Sequence, residues 1–180
     1  MRYGIVGTSW ITESFIAGAA LAGGMELAAV YSRSAQRAEA FAQKHGAALT
    51  FTSLEEMATC AAIDAVYIAS PNVFHAPQSR LFLEHDKHVL CEKPATVTAA
   101  QARELLALAR SRRLVYMEAI MMLHQPARET VRQALREIGA ITTARFDFSQ
   151  LSSRYAALQA GETPNIFNPA MAAGCLMDLG

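Results

Sequence analysis

Short apolar runs alternate along this chain with longer segments whose apolar residues recur every three or four positions. Residues 2–6 (RYGIV) read as a first strand. Residues 10–22 set Trp10, Phe15, Ile16, Ala19 and Ala20 at helical spacing, and Gly23-Gly24 stops that helix. MELAAVY (25–31) is a second strand, and a helix over about 34–45 ends at Gly46. ALTF is a short third strand, and Ser53-x-x-Glu56 is a capping box that opens a small helix. DAVYIAS is an unbroken apolar run of the kind expected of a buried parallel strand. A helix over 74–85, the strand KHVLCE, a helix capped by Thr98-x-x-Gln101 and a sixth strand, LVYME, complete the series. This alternation predicts an α/β fold, a doubly wound parallel sheet of the Rossmann type.

The pattern changes after Glu118. A helix over about 124–138 stops at Gly139. ITTARFDFS then alternates, with Ala144, Phe146 and Phe148 on one side and Arg145, Asp147 and Ser149 on the other. That predicts a strand over 141–149 with one buried face, as in an antiparallel sheet. Residues 151–169 read as a loop with two prolines, and the chain closes on GCLMDLG in what reads as the first turn of a helix. Met117, Met121 and Met122 with His124 either line a pocket or, as methionines at this spacing more often do, belong to the core. A boundary near 119–123 divides the chain into a first domain, 1–120, and the start of a second, 121–180.

Composition narrows the function classes. The 180 residues are 52% hydrophobic and 18% charged, enough for a real core. Lys+Arg and Asp+Glu both number 16, so no basic excess points to nucleic acid. No apolar run reaches the length of a membrane span, and no signal peptide is visible before the first strand. Cys60, Cys91 and Cys175 form no C-x-x-C pair and no metal-like spacing, which fits a reducing cytoplasm and no metal site.

In a doubly wound sheet, ligands bind beyond the carboxyl ends of the strands. The polar candidates sort to that edge. Gly7, Thr8, Ser9, Trp10 and Ile11 follow strand one; Ser32 and Arg33 follow strand two; Ser70, Pro71, Asn72 and His75 follow strand four. Glu92, Lys93 and Pro94 follow strand five, and Glu118 closes strand six.

GTSWI, ASPNVFH, CEKPATVT and G-x-x-x-D-x-G occur in this order. Together they resemble the Gfo/Idh/MocA family of nicotinamide-dependent oxidoreductases, and the resemblance covers the whole chain. E-K-P with an upstream P-N-x-x-H is specific, whereas the glycine loop alone is weak. The resemblance implies a dinucleotide domain followed by an α+β domain built on an open, mainly antiparallel sheet, through which homo-oligomers form.

The loop departs from G-x-G-x-x-G. Gly7 supplies the tight turn, but Ser9 and Thr12 stand in the second and third glycine places. Ser9 is small and its hydroxyl can donate to a phosphate, while Thr12 sets helix and strand slightly farther apart. The helix N-terminus still offers N–H groups to an anion. An NAD enzyme carries an acid at the end of strand two, yet the nearest acid, Glu26, begins that strand. The chain offers Ser32-Arg33-Ser34 and Arg37 instead, which suits a 2′-phosphate. NADP is therefore the expected cofactor, with NAD second.

Lys93 is the expected proton-transfer group. Its place in E-K-P resembles the family's catalytic lysine, and Pro94 keeps it out of helical geometry. An amine beside a cationic ring and away from water gives up its proton more readily. Glu92 is placed to orient the lysine or touch the nicotinamide ribose. Asn72 and His75 resemble the family's cofactor-side contacts. Asp178 resembles the aspartate that helps hold substrate, and the family's second proton-transfer group, a His or Tyr, comes one helical turn later, past Gly180.

The resemblance also implies a chain about twice as long. The expectation is that residues 1–180 are a fragment whose dinucleotide domain folds and binds NADPH without turning over substrate. Residues 140–180 would then be disordered, self-associated or paired with another copy. The leading expected function is hydride transfer between NADP and a sugar, polyol or similar small hydroxylated compound. A glycoside hydrolase with a tightly held nicotinamide and a non-catalytic dinucleotide sensor are the alternatives. The intact Lys93 argues against the sensor.

Overall fold

The structure is a computed structural model that describes residues 1–179, with side chains described through Met177. Six strands, β1 (Arg2–Val6), β2 (Glu26–Tyr31), β3 (Leu49–Phe51), β4 (Ala65–Ile68), β5 (His88–Glu92) and β6 (Tyr116–Ala119), form one sheet in the order β3-β2-β1-β4-β5-β6. Every neighbouring pair is parallel. This is the doubly wound dinucleotide-binding order, with its reversal between β1 and β4. The strand ends are level. Val6 pairs with Tyr31 on one side and Ile68 on the other, and Ile68 pairs with Cys91. All the loops at the carboxyl edge therefore leave the sheet at one height.

The connecting helices are α1 (Trp10–Ala22), α2 (Ala35–His45), α3 (Leu54–Thr59), α4 (His75–Glu84) and α5 (Ala99–Ser111). Their starts follow from local chemistry. The side chains of Ser34, Ser53 and Thr98 accept the N–H of Arg37, Glu56 and Gln101 at 3.4, 3.2 and 3.2 Å. Gly46 ends α2 in the left-handed region, with its N–H on the Ala42 carbonyl.

Period-two alternation splits the core into two layers. Tyr3 and Ile5 face α1 and α2 with Val30, Phe41 and Tyr67; Val6 and Ile68 face the opposite side with Met57, Phe82, Leu83 and Leu105. A fully buried side chain such as Phe82 contributes about 1.5–3 kcal/mol.

At the amino edge the Arg2 guanidinium meets Asp64 at 2.8 Å, and the Arg2 backbone N–H donates to the same carboxylate. The side-chain bond from Arg2, then the backbone bond, hold the Asp64 carboxyl down at about 2. A carboxyl depressed in the folded state stabilises the fold above its ordinary value and stops doing so as pH falls towards its folded value. The urea midpoint, followed by circular dichroism, should therefore fall more steeply between pH about 4 and about 2 in the unaltered chain than in Asp64→Asn. Parallel slopes would disprove this contribution.

Beyond β6 lie α6 (Ala127–Glu137), α7 (Tyr155–Gln159) and α8 (Cys175–Leu179), joined by irregular chain and 3-10 turns. The strand expected over 141–149 is absent. A strand needs a neighbour, and no other segment of 121–179 forms one. The face expected to be buried instead leaves Phe146 95% exposed. The expected loop over 151–169 contains the short helix α7. Met117, Met121 and Met122, expected in the core, are exposed, as are Val131 and Leu135 along α6 and Ile138 just past its end. Among the described residues no helix is long and apolar enough to cross a membrane, and no group of three or more His, Cys, Asp or Glu is placed to hold a metal.

Candidate functional site

β1 runs into the tight turn at Gly7, where φ is +109°. A Cβ there would lie 2.7 Å from the Ala69 carbonyl oxygen, so both the backbone angle and the space require glycine. Ser9 is the N-cap of α1 but makes no side-chain capping bond; its carbonyl takes the N–H of Thr12 at 3.0 Å. Ser9 thus keeps its hydroxyl for another partner. Thr12, in the third-glycine place, is fully buried, and its hydroxyl has no hydrogen-bond partner among the described residues. Trp10 opens α1 and is 70% exposed at the loop.

At the end of β2, Ser32 accepts the Ser34 N–H at 3.3 Å, so its hydroxyl sits at the start of α2. Arg33 and Arg37 are both exposed. Thr8 from the glycine loop and Arg37, Phe41 and Lys44 from α2 line one hollow, and the Lys44 ammonium is 2.7 Å from Glu13 of α1. The loop and the cations that follow β2 therefore face each other, with no carboxylate at the end of β2. The expected site residues Gly7, Thr8 and Arg37 are brought together; Ile11 follows in the first turn of α1.

The loops after β4 and β5 are tied to one another. His75 starts α4 and is 1% exposed. Its Nδ1 lies 2.8 Å from the Pro94 carbonyl oxygen, and its Nε2 lies 2.7 Å from that of Ser70. Both ring nitrogens are engaged with backbone. His75 shapes the edge from within. The Ser70 hydroxyl is 2.7 Å from Gln78 Oε1 of α4.

The segment carrying Lys93 is braced by several hydrogen bonds. The Tyr67 hydroxyl donates to Glu92 Oε1 at 2.6 Å, and Glu92 Oε2 takes the Lys93 N–H at 3.3 Å. The Ala95 N–H donates to Glu118 Oε1 at 2.8 Å, and the Tyr116 hydroxyl donates to the Ala95 carbonyl at 3.3 Å. The Lys93–Pro94 peptide bond is cis. Tyr67 and Tyr116 were not singled out from the sequence, although a hydroxyl inside the apolar run DAVYIAS demands a partner when buried. Burial, and then the Glu92 hydrogen bond, push the Tyr67 phenol well above its ordinary value. Burial likewise raises the Cys91 thiol to about 12, leaving it an inert core residue.

Asn72 Nδ2 donates to the Ala172 carbonyl at 2.8 Å, joining the turn after β4 to the segment before α8. Pro71 and Asn72 line a hollow with Ile166, Met171 and Gly174 of that segment. Asp178 falls in α8, but its side chain lies outside the described residues.

Comparison with known proteins gives one family. The profile of the oxidoreductase family with an NAD-binding Rossmann fold, GFO_IDH_MocA, matches residues 1–120. The whole chain is 43% identical over 180 residues to scyllo-inositol 2-dehydrogenase (NADP(+)) of Bacillus subtilis and covers 55% of that protein. It is 34% identical over 196 residues to D-xylose 1-dehydrogenase (NADP(+)) of Hypocrea jecorina, covering 50% of it. Among solved structures, a 3-ketoreductase from Actinomadura kijaniata in complex with NADP superposes with a TM-score of 0.71 at 35% identity, over 76% of this chain and 42% of that one. The chain spans about half the length of the curated relatives it matches.

Proposed function

The chain belongs to the Gfo/Idh/MocA oxidoreductase family, and from that premise we propose that it binds NADP and supplies the proton-transfer lysine of an oxidoreductase acting on a sugar, polyol or similar small hydroxylated compound. The observation that carries this reading is the braced segment around Lys93, on the same level edge as the Gly7 turn. The residues present fit the cofactor. Gly7 leaves backbone room that a Cβ would fill, Ser9 keeps its hydroxyl uncommitted to a cap, and the end of β2 offers Arg33 and Arg37 with no acid.

When bound, the nicotinamide supplies the hydride acceptor or donor. The remaining work belongs to the chain. Backbone N–H groups at the start of α1 hold the pyrophosphate. Arg33 and Arg37 hold a 2′-phosphate. Lys93 takes the hydroxyl proton when an alcohol is oxidised and returns it when a carbonyl is reduced. His75, Glu118 and Tyr116 hold the backbone on which that amine is mounted. Asp178 steadies the substrate.

Cofactor titration tests the first half of this reading. Trp10 is the only tryptophan and stands exposed at the loop, so NADPH should quench it. NADPH should bind more tightly than NADH, and Arg33→Ala should narrow that gap by about 1–3 kcal/mol. Equal affinities for the two cofactors in the unaltered chain would refute the 2′-phosphate site.

A further inference from the structure

Arg37, Phe41 and Lys44 recur at helical spacing and so share one side of α2. With Thr8 of the glycine loop and Ala40 they line an open hollow. Phe41 is buried, so the two cations supply the polar chemistry of the α2 wall. No acidic side chain among the described residues lines the hollow. Lys44 is nevertheless paired: its Nζ lies 2.7 Å from Glu13 Oε1 of α1.

That pair is a weak one. Its side chains are 61% and 40% exposed, and in water an ion pair gains little over two hydrated charges. A phosphate monoester offers the lysine more. It carries a charge of about −1.5 to −2 at neutral pH and three acceptor oxygens, against the single charge of a carboxylate. Glu13 keeps support without Lys44, because it stands in the first turn of α1, where the helix dipole favours a carboxylate. The lysine stem is long and rotatable, so its ammonium can change partner without moving the helix.

We infer that Lys44 and Glu13 set cofactor choice: Lys44 leaves Glu13 to join Arg37 around a 2′-phosphate seated in the hollow beside Thr8, and Glu13 holds the lysine back from it. The inference rests on the proposed NADP site and deepens it. Lys44 stands in the last turn of α2, away from the loop after β2 that carries Arg33.

Isothermal titration calorimetry of the 180-residue chain with NADPH and with NADH gives the preference between them as a ratio of Kd values. Lys44→Gln should cut the preference for NADPH about three- to tenfold. Lys44→Arg keeps the charge and should hold the preference within about twofold. Glu13→Gln releases the lysine and should raise it about two- to fivefold. Arg112 is the control. It pairs with Asp86 at the end of α5, and α5 and α2 cover opposite faces of the sheet. Arg112→Gln should leave the preference within about twofold, which separates a local ligand from the overall charge of the chain.

A Lys44→Gln variant that keeps the preference, or binds both cofactors less tightly by the same factor, overturns the inference; in the second case Lys44 only ties α2 to α1. A fall in Arg112→Gln as large as that in Lys44→Gln overturns it too. An unchanged or lowered preference in Glu13→Gln does the same, and this variant decides alone should Lys44→Gln not fold. The proposed site is judged separately. Equal affinities in the unaltered chain defeat that site and this inference together. A preference that Arg37→Ala diminishes and Lys44→Gln does not leaves the site standing and removes Lys44 and Glu13 from it.

Discussion

Under the proposed function, Lys93→Met should lower turnover by about 10²–10⁴-fold, the usual worth of a positioned acid–base group. The substitution keeps the stem and removes the amine. Four groups that brace the segment act on its neighbours or on backbone: Tyr67 on Glu92, His75 on Pro94, Glu118 and Tyr116 on Ala95. The fold and the cofactor cradle should therefore survive, and NADPH affinity should change by less than about threefold, a shift of well under one kcal/mol. Steady-state kinetics beside a binding titration separates the outcomes. Near-normal turnover would remove Lys93 from proton transfer. Lost NADPH binding would recast it as a binding residue.

Gly7→Ala should act on the opposite property. At φ +109° an L side chain is strained, and the new methyl would meet the Ala69 carbonyl oxygen at 2.7 Å. That atom belongs to the backbone where β4 leaves the sheet, so it cannot swing aside as a flexible side chain would. The turn must open, and strain of this kind costs about 1–3 kcal/mol. NADPH affinity should fall by at least about tenfold, since the loop that approaches the pyrophosphate is the part displaced. Isothermal titration calorimetry gives the affinity, and thermal melting by circular dichroism gives the stability. Wild-type affinity in a folded Gly7→Ala variant would show that the loop is not the phosphate cradle.

Where sequence and structure agree, the information was local. Serines and a threonine that cap helices, Gly46 at a helix end and apolar runs such as DAVYIAS each determine their own segment within a few residues. The carboxyl edge could be read in advance for the same reason: once strands and helices alternate, the loops that carry Gly7, Asn72 and Lys93 must emerge on one side. The misread parts depend on partners. Residues 141–149 alternate as a strand does, but alternation specifies a face and not a neighbour, and no strand of 121–179 lies alongside. His75 resembles a cofactor-side contact through the P-N-x-x-H motif, and a motif carries no information on what its ring packs against. Only the three-dimensional structure reveals that its nitrogens meet carbonyls 5 and 19 residues away. Tyr67 was passed over because a tyrosine in an apolar run reads as bulk, whereas its chemistry depends on Glu92, 25 residues on and one strand across.

The exposure of Trp10 has a spectroscopic consequence. An indole that already stands in water emits like one in the unfolded chain, so denaturation should shift its emission maximum little. A molecule settling on the loop, by contrast, changes the surroundings of that ring directly. In this protein the intrinsic fluorescence signal reports occupancy and is nearly blind to integrity. A variant that has lost its fold and one that has only lost its ligand would look alike in that channel, and backbone ellipticity is the signal that tells them apart.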